Sequence, residues 1–192
     1  MRMLIMGPPG AGKGTQGVEI ARHYGVPAIS TGAIFRSNVE RGTELGLVVG
    51  QLMAKGEYVP DEVTIKIVAQ RLAEPDAAAG FLLDGFPRTV PQAEALDLLL
   101  AEAGGPLQAV LSLLVETETL VARMLKRAEI EHRADDNEDA IRRRFEVYQA
   151  ETAPLLDRYS GQGLLVEVDG VGAVDQVTAR CAAALDAKVQ GR

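Results

Sequence analysis

The sequence predicts an α/β fold in which a five-stranded parallel sheet is covered by helices on both faces. Short apolar runs of strand length alternate with longer segments in which apolar residues recur every three or four positions. Most of the short runs are continuously apolar, which is typical of strands that are buried on both faces of a parallel sheet. The length of 192 residues fits one domain over 1–192, with room for small inserted segments.

The first strand is predicted over 1–6, which is apolar apart from one arginine and is ended by Gly-Pro-Pro-Gly. The next segment has the spacing Gly7-x-x-x-x-Gly12-Lys13 of a loop that cradles phosphate. Glycines let successive backbone N–H groups point inward, and the helix expected to begin near Lys13 adds its partial positive charge. Lys13 can reach the outer phosphates, and Thr15, one position later than the hydroxyl of the general motif, can hold Mg²⁺. The alternative is a glycine-rich turn that binds no ligand.

The second predicted strand is the short apolar run 26–29. The segment 30–59 after it is predicted to be an insertion of two helices between strands. Glycine-containing breaks separate the two helices and mark both ends, so the insertion is suited to moving as a unit. Thr43 is expected to cap the second helix, and Asp61 to begin the helix that follows.

The third strand is predicted over 81–84, the fourth over 108–115 and the fifth over 164–168, followed by a final helix. Asp84 is the last residue of the third strand. Ligands of open α/β sheets bind outside the carboxyl ends of the strands. We therefore expect Asp84 and the segment after it to face a ligand.

The net charge of −7 weighs against a nucleic-acid-binding protein, because such a protein needs a broad basic surface. No apolar run approaches the ~20 residues that cross a bilayer, so no membrane contact is expected. The apolar start is too short for a signal peptide. The single cysteine, Cys181, excludes an internal disulfide and a Cys-based zinc site, and its place on an apolar helix stripe predicts a packing role. We expect a cytoplasmic protein.

A negatively charged protein that handles polyphosphates is expected to gather its cations locally, and such a stretch lies between the fourth and fifth strands. Arg123 and Arg127 are four residues apart on a helix predicted over 118–127, so they share a face. Arg133 follows a short connection. A long helix then carries the arginines of 142–144, of which the first two equally suit a solvated basic face.

These residues resemble the adenylate kinase family over essentially the whole chain. The most family-specific block is 83–89, Leu-Asp-Gly-Phe-Pro-Arg-Thr, together with Gln92, and the run 7–15 resembles the phosphate loop of the family, including the delayed threonine. The resemblance implies a P-loop three-layer fold with a helical AMP-binding insertion at 30–59 and a short lid at 127–137. It implies no zinc, because the Cys-rich lid of some bacterial relatives is absent.

The resemblance also implies a reaction, partners and roles. The reaction is the reversible, Mg²⁺-dependent transfer of a phosphoryl group from ATP to AMP, giving two ADP. Positioning and electrostatic stabilisation with lid closure would supply the catalysis, and the enzyme would be a monomer. The ATP-binding residues would be Gly10, Ala11, Gly12, Lys13, Gly14, Thr15, Arg127 and Gly172. The AMP-binding residues would be Thr31, Arg36, Glu57, Tyr58, Val59, Gly85, Phe86, Pro87, Arg88, Gln92, Arg133 and Arg144. The catalytic residues would be Lys13, Arg88, Arg123, Arg133 and Arg144, and the magnesium residues Thr15 and, through water, Asp84.

One residue departs from the family pattern, and two alternatives stay open. The family usually has aspartate after Ser-Thr-Gly, whereas this chain has Ala33, so weaker handling of Mg²⁺ is expected. A kinase for pyrimidine nucleoside monophosphates would resemble this chain, but Thr31, Thr89 and Gln92 favour adenine. A P-loop switch or ATPase would need neither the block around Asp84 nor paired arginines in a lid. ADP formation that depends on AMP separates the kinase from the switch.

Overall fold

A computed structural model of the chain describes residues 1–131 and 137–190. Within these ranges the strands are β1 (Arg2–Met6), β2 (Ala28–Ser30), β3 (Phe81–Asp84), β4 (Ala109–Leu114) and β5 (Leu165–Asp169). All of them pair in parallel, in the order β2-β3-β1-β4-β5. The predicted α/β fold with a five-stranded parallel sheet is therefore confirmed.

Helices connect the strands throughout the described ranges. The α-helices are α1 (Lys13–Tyr24), α2 (Thr31–Glu40), α3 (Glu44–Ala54), α4 (Asp61–Leu72), α5 (Val90–Glu102), α6 (Thr117–Glu131), α7 (Glu138–Val147), α8 (Pro154–Gly161) and α9 (Val174–Gln190). A 3₁₀ turn covers Pro75–Ala77, and a π-helical turn, Tyr148–Thr152, joins α7 to α8.

Two apolar clusters cover the two faces of the sheet. Alternate residues of β1 belong to different clusters, Met3 and Ile5 to the first, Leu4 and Met6 to the second, because successive side chains of a strand point to opposite faces. The first cluster includes side chains of α1 and α9, and the second includes side chains of α5 and α8. Cys181 of α9 is fully buried in the first cluster, which confirms its packing role. The sheet is thus the middle of three layers.

The strand order places the centre of the sheet at the phosphate loop. β1 lies between β3 and β4, with Ile5 beside Asp84 on one side and Met6 beside Ser112 on the other. A parallel sheet opens a crevice where neighbouring connections leave in opposite directions, at the carboxyl ends of the strands. The loop after β1 begins in this crevice.

The insertion 30–59 contains α2 and α3 as predicted, and these helices pack closely. The hydroxyl of Thr43 caps α3 by accepting the Gly46 N–H at 3.0 Å, which confirms the predicted cap. A Cβ atom at Gly46 would overlap the carbonyl of Asn38, so the approach of α3 to α2 depends on glycine at this position. A small separate core is formed by Phe35, Val49 and Val59.

Helix α6 is longer than the sequence predicts. It continues to Glu131, so the segment after Arg127 that the sequence assigns to a short connection is helical up to that residue. The following residues, 132–136, lie outside the described ranges, and Arg133 is among them. The boundaries 30–59 for the AMP-binding insertion and 127–137 for the lid stay predictions.

Candidate active site

The predicted phosphate loop connects β1 to α1. Gly7, Gly10 and Gly12 have positive φ angles of 138°, 82° and 93°, which L side chains rarely adopt. Gly10 also contacts α6, where a Cβ atom would lie 2.7 Å from the carbonyl oxygen of Leu120. Gly12 occupies the N-cap position of α1 and has no side chain that could cap the helix. The start of this helix is therefore left to bind an anion in place of a capping side chain.

Lys13 folds back over its own loop. Its Nζ donates to the carbonyl oxygens of Gly7 and Pro8, both at 2.8 Å. The amine lies deep in the site, although part of the side chain reaches the cavity, and burial lowers the pKa of Lys13 from 10.5 to about 8. The Asp84 carboxylate acts in the opposite direction, and the guanidinium groups of Arg88, Arg144 and Arg127 lower this pKa further. Cations from separate segments thus lie close enough to Lys13 to influence its charge.

Asp84 lies at the carboxyl end of β3, where its position in the sequence predicts it. Its carboxylate accepts a hydrogen bond from the Ser30 hydroxyl at 3.3 Å, which ties the end of β3 to the end of β2. The described residues contain no cluster of three or more His, Cys, Asp or Glu side chains that could hold a metal ion by themselves. Asp84 and Thr15 both line one cavity, and their oxygens are of the kind that Mg²⁺ prefers.

A cavity of about 690 Å³ opens at the carboxyl edge of the sheet, which is large enough for a nucleotide. The side chain of Arg123 lines it and donates to the carbonyl of Gly170 at 3.1 Å, so α6 is tied to the loop after β5. The predicted ATP, magnesium and catalytic residues on its wall include Gly10, Gly12, Lys13, Gly14, Thr15, Asp84, Arg123 and Arg127.

A second, smaller cavity lies between the insertion and the loop after β3. The Thr31 hydroxyl donates to the carbonyl of Gly85 at 2.9 Å and ties the start of α2 to that loop. The predicted AMP residues on the wall of this cavity are Thr31, Arg36, Glu57, Tyr58, Val59, Gly85, Arg88, Gln92 and Arg144.

The two cavities share part of their walls. Six residues line both: Gly32, Arg36, Tyr58, Gly85, Arg88 and Arg144. The three arginines among them come from α2, from the loop after β3 and from α7. Positive charge from three separate segments therefore lies where the contents of the two cavities would meet.

Arg88 is held at several points of its backbone and side chain. Its N–H donates to the side-chain oxygen of Gln92 at 2.8 Å, and its Nε donates to the carbonyl of Gly85 at 2.8 Å. Its carbonyl accepts from the Thr152 hydroxyl at 2.8 Å. The guanidinium carbon lies 4.8 Å from the centre of the Tyr58 ring. These contacts fix the direction of the side chain before a ligand arrives.

Gln92 is almost fully buried, and Asp61 binds its amide. The side-chain nitrogen of Gln92 donates to Asp61 at 2.7 Å. The other carboxylate oxygen of Asp61 accepts from the Thr89 hydroxyl at 2.9 Å, and that hydroxyl caps α5. Asp61 begins α4, as the sequence predicts, but its contact with Gln92 has no local signal in the sequence.

Some predicted residues lie outside both cavities. Ala11 and Phe86 are buried, and Gly172 is exposed in the loop after β5 with a φ of 135°. Pro87 lines the larger cavity instead of the smaller one. The roles predicted for all the site residues stay predictions, and Arg133 lies outside the described ranges. The side chains of the exposed pair Arg142 and Arg143 bind Glu138 and Glu146, as expected of a solvated face.

The structure also brings in residues that the sequence did not single out for the site. The larger cavity is lined by Val18, Ile130, Tyr148 and Thr152, and the smaller one by Met53 and Thr64. The exposed apolar side chains of Val18 and Ile130 are a signal that only the structure provides, because their apolar character alone predicts burial. Within 1–131 and 137–190 no helix combines the length and apolar character needed to span a membrane.

Comparison with known proteins gives one consistent result. A family model described as adenylate kinase matches residues 5–164. The chain is 56% identical to an adenylate kinase of Nocardioides sp. over 97% of both chains, and 55% identical to one of Mycobacteroides abscessus over 96% of this chain and 99% of the other. It is 50% identical to an adenylate kinase of Thermobifida fusca over 98% of this chain and all of the other. The chain belongs to the adenylate kinase family.

Proposed function

We propose that the larger cavity binds ATP, that the smaller cavity binds AMP, and that the phosphoryl group is transferred across their shared wall. As a member of its family, the chain is an ATP:AMP phosphotransferase that acts reversibly. The observation that carries the assignment of the two sites is the shared wall, where Arg36, Arg88 and Arg144 line both cavities. Two anionic nucleotides placed end to end would bring their phosphates together at these arginines.

The chemistry needs positioned charge and no general base. An oxygen of the AMP phosphate, already ionised, forms a bond to the terminal phosphorus of ATP. The bond from that phosphorus to the bridging oxygen breaks, and both products are ADP. Because the transition state of phosphoryl transfer is loose, alignment and electrostatic stabilisation supply most of the catalysis. The arginines of the shared wall stabilise the negative charge of the transferring group.

When ATP binds, the amine of Lys13 exchanges its hydrogen-bond acceptors. Its amine is held by two carbonyls of the phosphate loop, so incoming phosphate oxygens can replace these acceptors without moving the backbone. The backbone N–H groups of the loop and the start of α1 then bind the phosphates. The lysine charge counters that of the outer phosphates.

Magnesium fits the oxygen-bearing side chains of the larger cavity. Thr15 and Asp84 line that cavity, the carboxylate is partly accessible, and the phosphates of ATP would complete the set of oxygen ligands. When bound, Mg²⁺ neutralises negative charge on the phosphates. We propose that Thr15 contacts the ion and that Asp84 acts through its water shell.

Closure of the lid and of the insertion is the proposed means of excluding water. The small core of the insertion is separate from the two clusters of the sheet, although Val63 and Ile67 of α4 pack against it, and this separation supports movement of the insertion as a unit. Water at the shared wall would compete with AMP for the phosphoryl group, so closure favours transfer over hydrolysis. We also propose that the enzyme acts in the cytoplasm and as a monomer, as the family resemblance implies.

The test of this function is a two-substrate assay. ADP formation from Mg·ATP is measured with AMP, with UMP, with CMP and with no acceptor. We expect ADP formation that depends on AMP and is weak with the pyrimidine nucleotides. Loss of ATP at the same rate with and without AMP would instead support an ATPase or switch. A bisubstrate compound, two adenosines joined through phosphates, should compete with both substrates, and competition with only one would contradict a shared wall.

A further inference from the structure

We propose that Tyr58 and Thr152 are positioning residues that hold Arg88 through a hydrogen-bond relay between the AMP-binding insertion and the core. The proposal rests on the proposed function, because it concerns an arginine of the shared wall. It also gives the Tyr58 side chain a role other than direct contact with AMP. Arg88 is placed by two residues that belong to different parts of the chain.

The direction of the relay follows from which groups can donate. The Thr152 hydroxyl lies 2.8 Å from the carbonyl oxygen of Arg88, and a carbonyl can only accept. The single hydrogen of Thr152 is therefore used in that bond. The Tyr58 hydroxyl lies 2.8 Å from the same Thr152 oxygen, so Tyr58 is the donor in the second bond. The relay runs from Tyr58 to Thr152 to the backbone of Arg88.

The ring of Tyr58 acts on the other end of Arg88. The guanidinium carbon lies 4.8 Å from the ring centre, within the range of a cation–π contact. The Nε of Arg88 is bound to the Gly85 carbonyl. Within the described ranges, the two terminal nitrogens of Arg88 have no hydrogen-bond acceptor from the protein. Tyr58 thus steadies both the backbone and the head group, and leaves the terminal nitrogens to a phosphate.

A π-helical turn places Thr152 within reach of Arg88. The turn covers Tyr148–Thr152, and the N–H of Ala153 bonds to the carbonyl of Tyr148, five residues earlier, at 2.9 Å. Pro154 comes next, lacks an N–H and would clash with the carbonyl four residues earlier in an ordinary helix, so the sequence favours the wider turn. Thr152 is 6% exposed, so its hydroxyl is bound inside the protein.

The relay links three segments that are distant in sequence. Tyr58 lies at the end of the insertion, Arg88 in the loop after β3, and Thr152 between α7 and α8. A displacement of the insertion would lengthen the bond to Thr152 and remove the ring from the guanidinium. The position of the insertion is thereby coupled to the position of the arginine that meets the AMP phosphate.

The test uses variants that remove one part of the relay at a time. Tyr58→Phe removes the hydroxyl and keeps the ring, Thr152→Val removes the other hydroxyl, and Thr152→Ser restores it. We expect Tyr58→Phe and Thr152→Val each to raise KM for AMP about fivefold, the usual effect of losing one hydrogen bond. KM for ATP should stay unchanged, and Thr152→Ser should return KM for AMP to the wild-type value. The double variant Tyr58→Phe/Thr152→Val should resemble Thr152→Val, because loss of the Thr152 hydroxyl already removes both bonds of the relay.

The matched control is Tyr24→Phe. The Tyr24 hydroxyl donates to Asp186 at 2.7 Å, between α1 and α9, and Tyr24 lines neither cavity. This variant loses a tyrosine hydrogen bond of similar length, and we expect wild-type KM values for both nucleotides. A rise in KM for AMP in the control as well would assign the effect to general loss of stability and overturn the proposal.

Two further outcomes decide between the relay and the proposed function. Unchanged KM for AMP in both single variants, or additive effects in the double variant, would overturn the relay. Absence of AMP-dependent ADP formation in the wild-type protein would overturn the proposed function. Thermal unfolding of the nucleotide-free single and double variants measures the coupling between Tyr58 and Thr152 without any activity, so the relay is tested even in that case.

Discussion

The carboxylate of Asp61 fixes the orientation of the Gln92 side-chain amide. A carboxylate can only accept, so the amide nitrogen of Gln92 faces Asp61, at 2.7 Å. The N–H of Arg88 can only donate, so the amide oxygen faces Arg88, at 2.8 Å. Both partners select the same orientation. Under the proposed function, the remaining N–H and lone pair of the amide would serve as donor and acceptor for a base in the smaller cavity, a pair that matches N1 and the 6-amino group of adenine.

Replacing Asp61 by Asn should weaken the preference for AMP. The variant removes the charge that holds the Gln92 amide, and a hydrogen bond to a charged group contributes about 1.5–3 kcal/mol. We expect KM for AMP to rise about tenfold or more. The selectivity for AMP over IMP should fall, since hypoxanthine reverses the donor and acceptor at these positions. The measurement is the ratio of kcat/KM for the two acceptors.

Asp97→Asn is the matched control for Asp61→Asn. Asp97 lies on the surface of α5, pairs with Arg158 at 2.7 Å and lines neither cavity. Its substitution should leave the AMP to IMP ratio unchanged. A ratio that stays at the wild-type value in Asp61→Asn would show that Gln92 keeps its orientation without the carboxylate.

Replacing Arg88 by Ala should reduce turnover far more than it reduces ATP binding. Arg88 lies on the shared wall, so under the proposed function it would meet the transferring group and the AMP phosphate instead of the rest of ATP. Loss of one preorganised charge contact typically lowers kcat by about 10²–10³-fold. Steady-state kinetics give kcat, and equilibrium titration with ATP alone gives its Kd. An unchanged turnover number would remove Arg88 from the proposed site.

Binding of ATP should take up protons near pH 8 because of Lys13. Burial holds the pKa of this amine at about 8, well below 10.5, and the negative phosphates should raise it. We expect uptake of up to about half a proton at pH 8, since the amine is about half protonated at its pKa. Titration calorimetry in two buffers of different ionisation enthalpy measures the uptake. The Lys13→Arg variant keeps the charge without titrating, so its binding enthalpy should be the same in both buffers.

The same lowered pKa sets the sign of a stability effect in the nucleotide-free protein. Between pH 8 and 10.5 the unfolded chain binds more protons at Lys13 than the folded chain does. The contribution of Lys13 to the free energy of unfolding therefore rises with pH across this window. Chemical denaturation at pH 8 and pH 10 should show a smaller rise in Lys13→Arg than in the wild type. An equal rise in both would contradict the lowered pKa.

Replacing Ala33 by Asp should lower the concentration of Mg²⁺ that half-saturates activity. Ala33 is exposed in the first turn of α2 and lines the larger cavity, and its N–H donates to Ser30, whose hydroxyl in turn donates to Asp84. A carboxylate at this position would face the same space as Asp84 and would be stabilised by the helix N-terminus. The measurement is the rate against Mg²⁺ at fixed ATP. Asparagine has nearly the shape of aspartate without the charge, so Ala33→Asn should need the same Mg²⁺ concentration as the wild type. An equal fall of that concentration in Ala33→Asn would assign the effect to shape instead of charge.

Local patterns were sufficient to predict much of the fold and of the phosphate site. A continuous apolar run predicts β3 at 81–84, the bounds that the structure has, and residue type and position alone predict the cap at Thr43. The sequence predicts Lys13 and Asp84 at the carboxyl edge of the sheet, because motif spacing and strand ends are local properties, and both residues line the larger cavity there. No local pattern groups Arg36, Arg88 and Arg144, because they are distant in sequence. The prediction that they belong to one site depends on the family resemblance.

Other features depend on contacts that no local pattern encodes. The Gln92–Asp61 bond joins two residues 31 positions apart. Thr152 has no local signal in the sequence, because its partners Arg88 and Tyr58 lie 64 and 94 positions away. The connection predicted after Arg127 is wrong up to Glu131, because residues 128–131 contain no glycine or proline that would end α6.

The two bonds from Lys13 to its own loop have a consequence for how the cradle meets its substrate. Because the carbonyls of Gly7 and Pro8 occupy the amine, the loop retains its shape while empty. Reorganisation on binding is then confined to one flexible side chain, and little conformational entropy is lost from the backbone. When the triphosphate binds, the Lys13 amine exchanges its hydrogen-bond acceptors, and the phosphate loop around it is already formed.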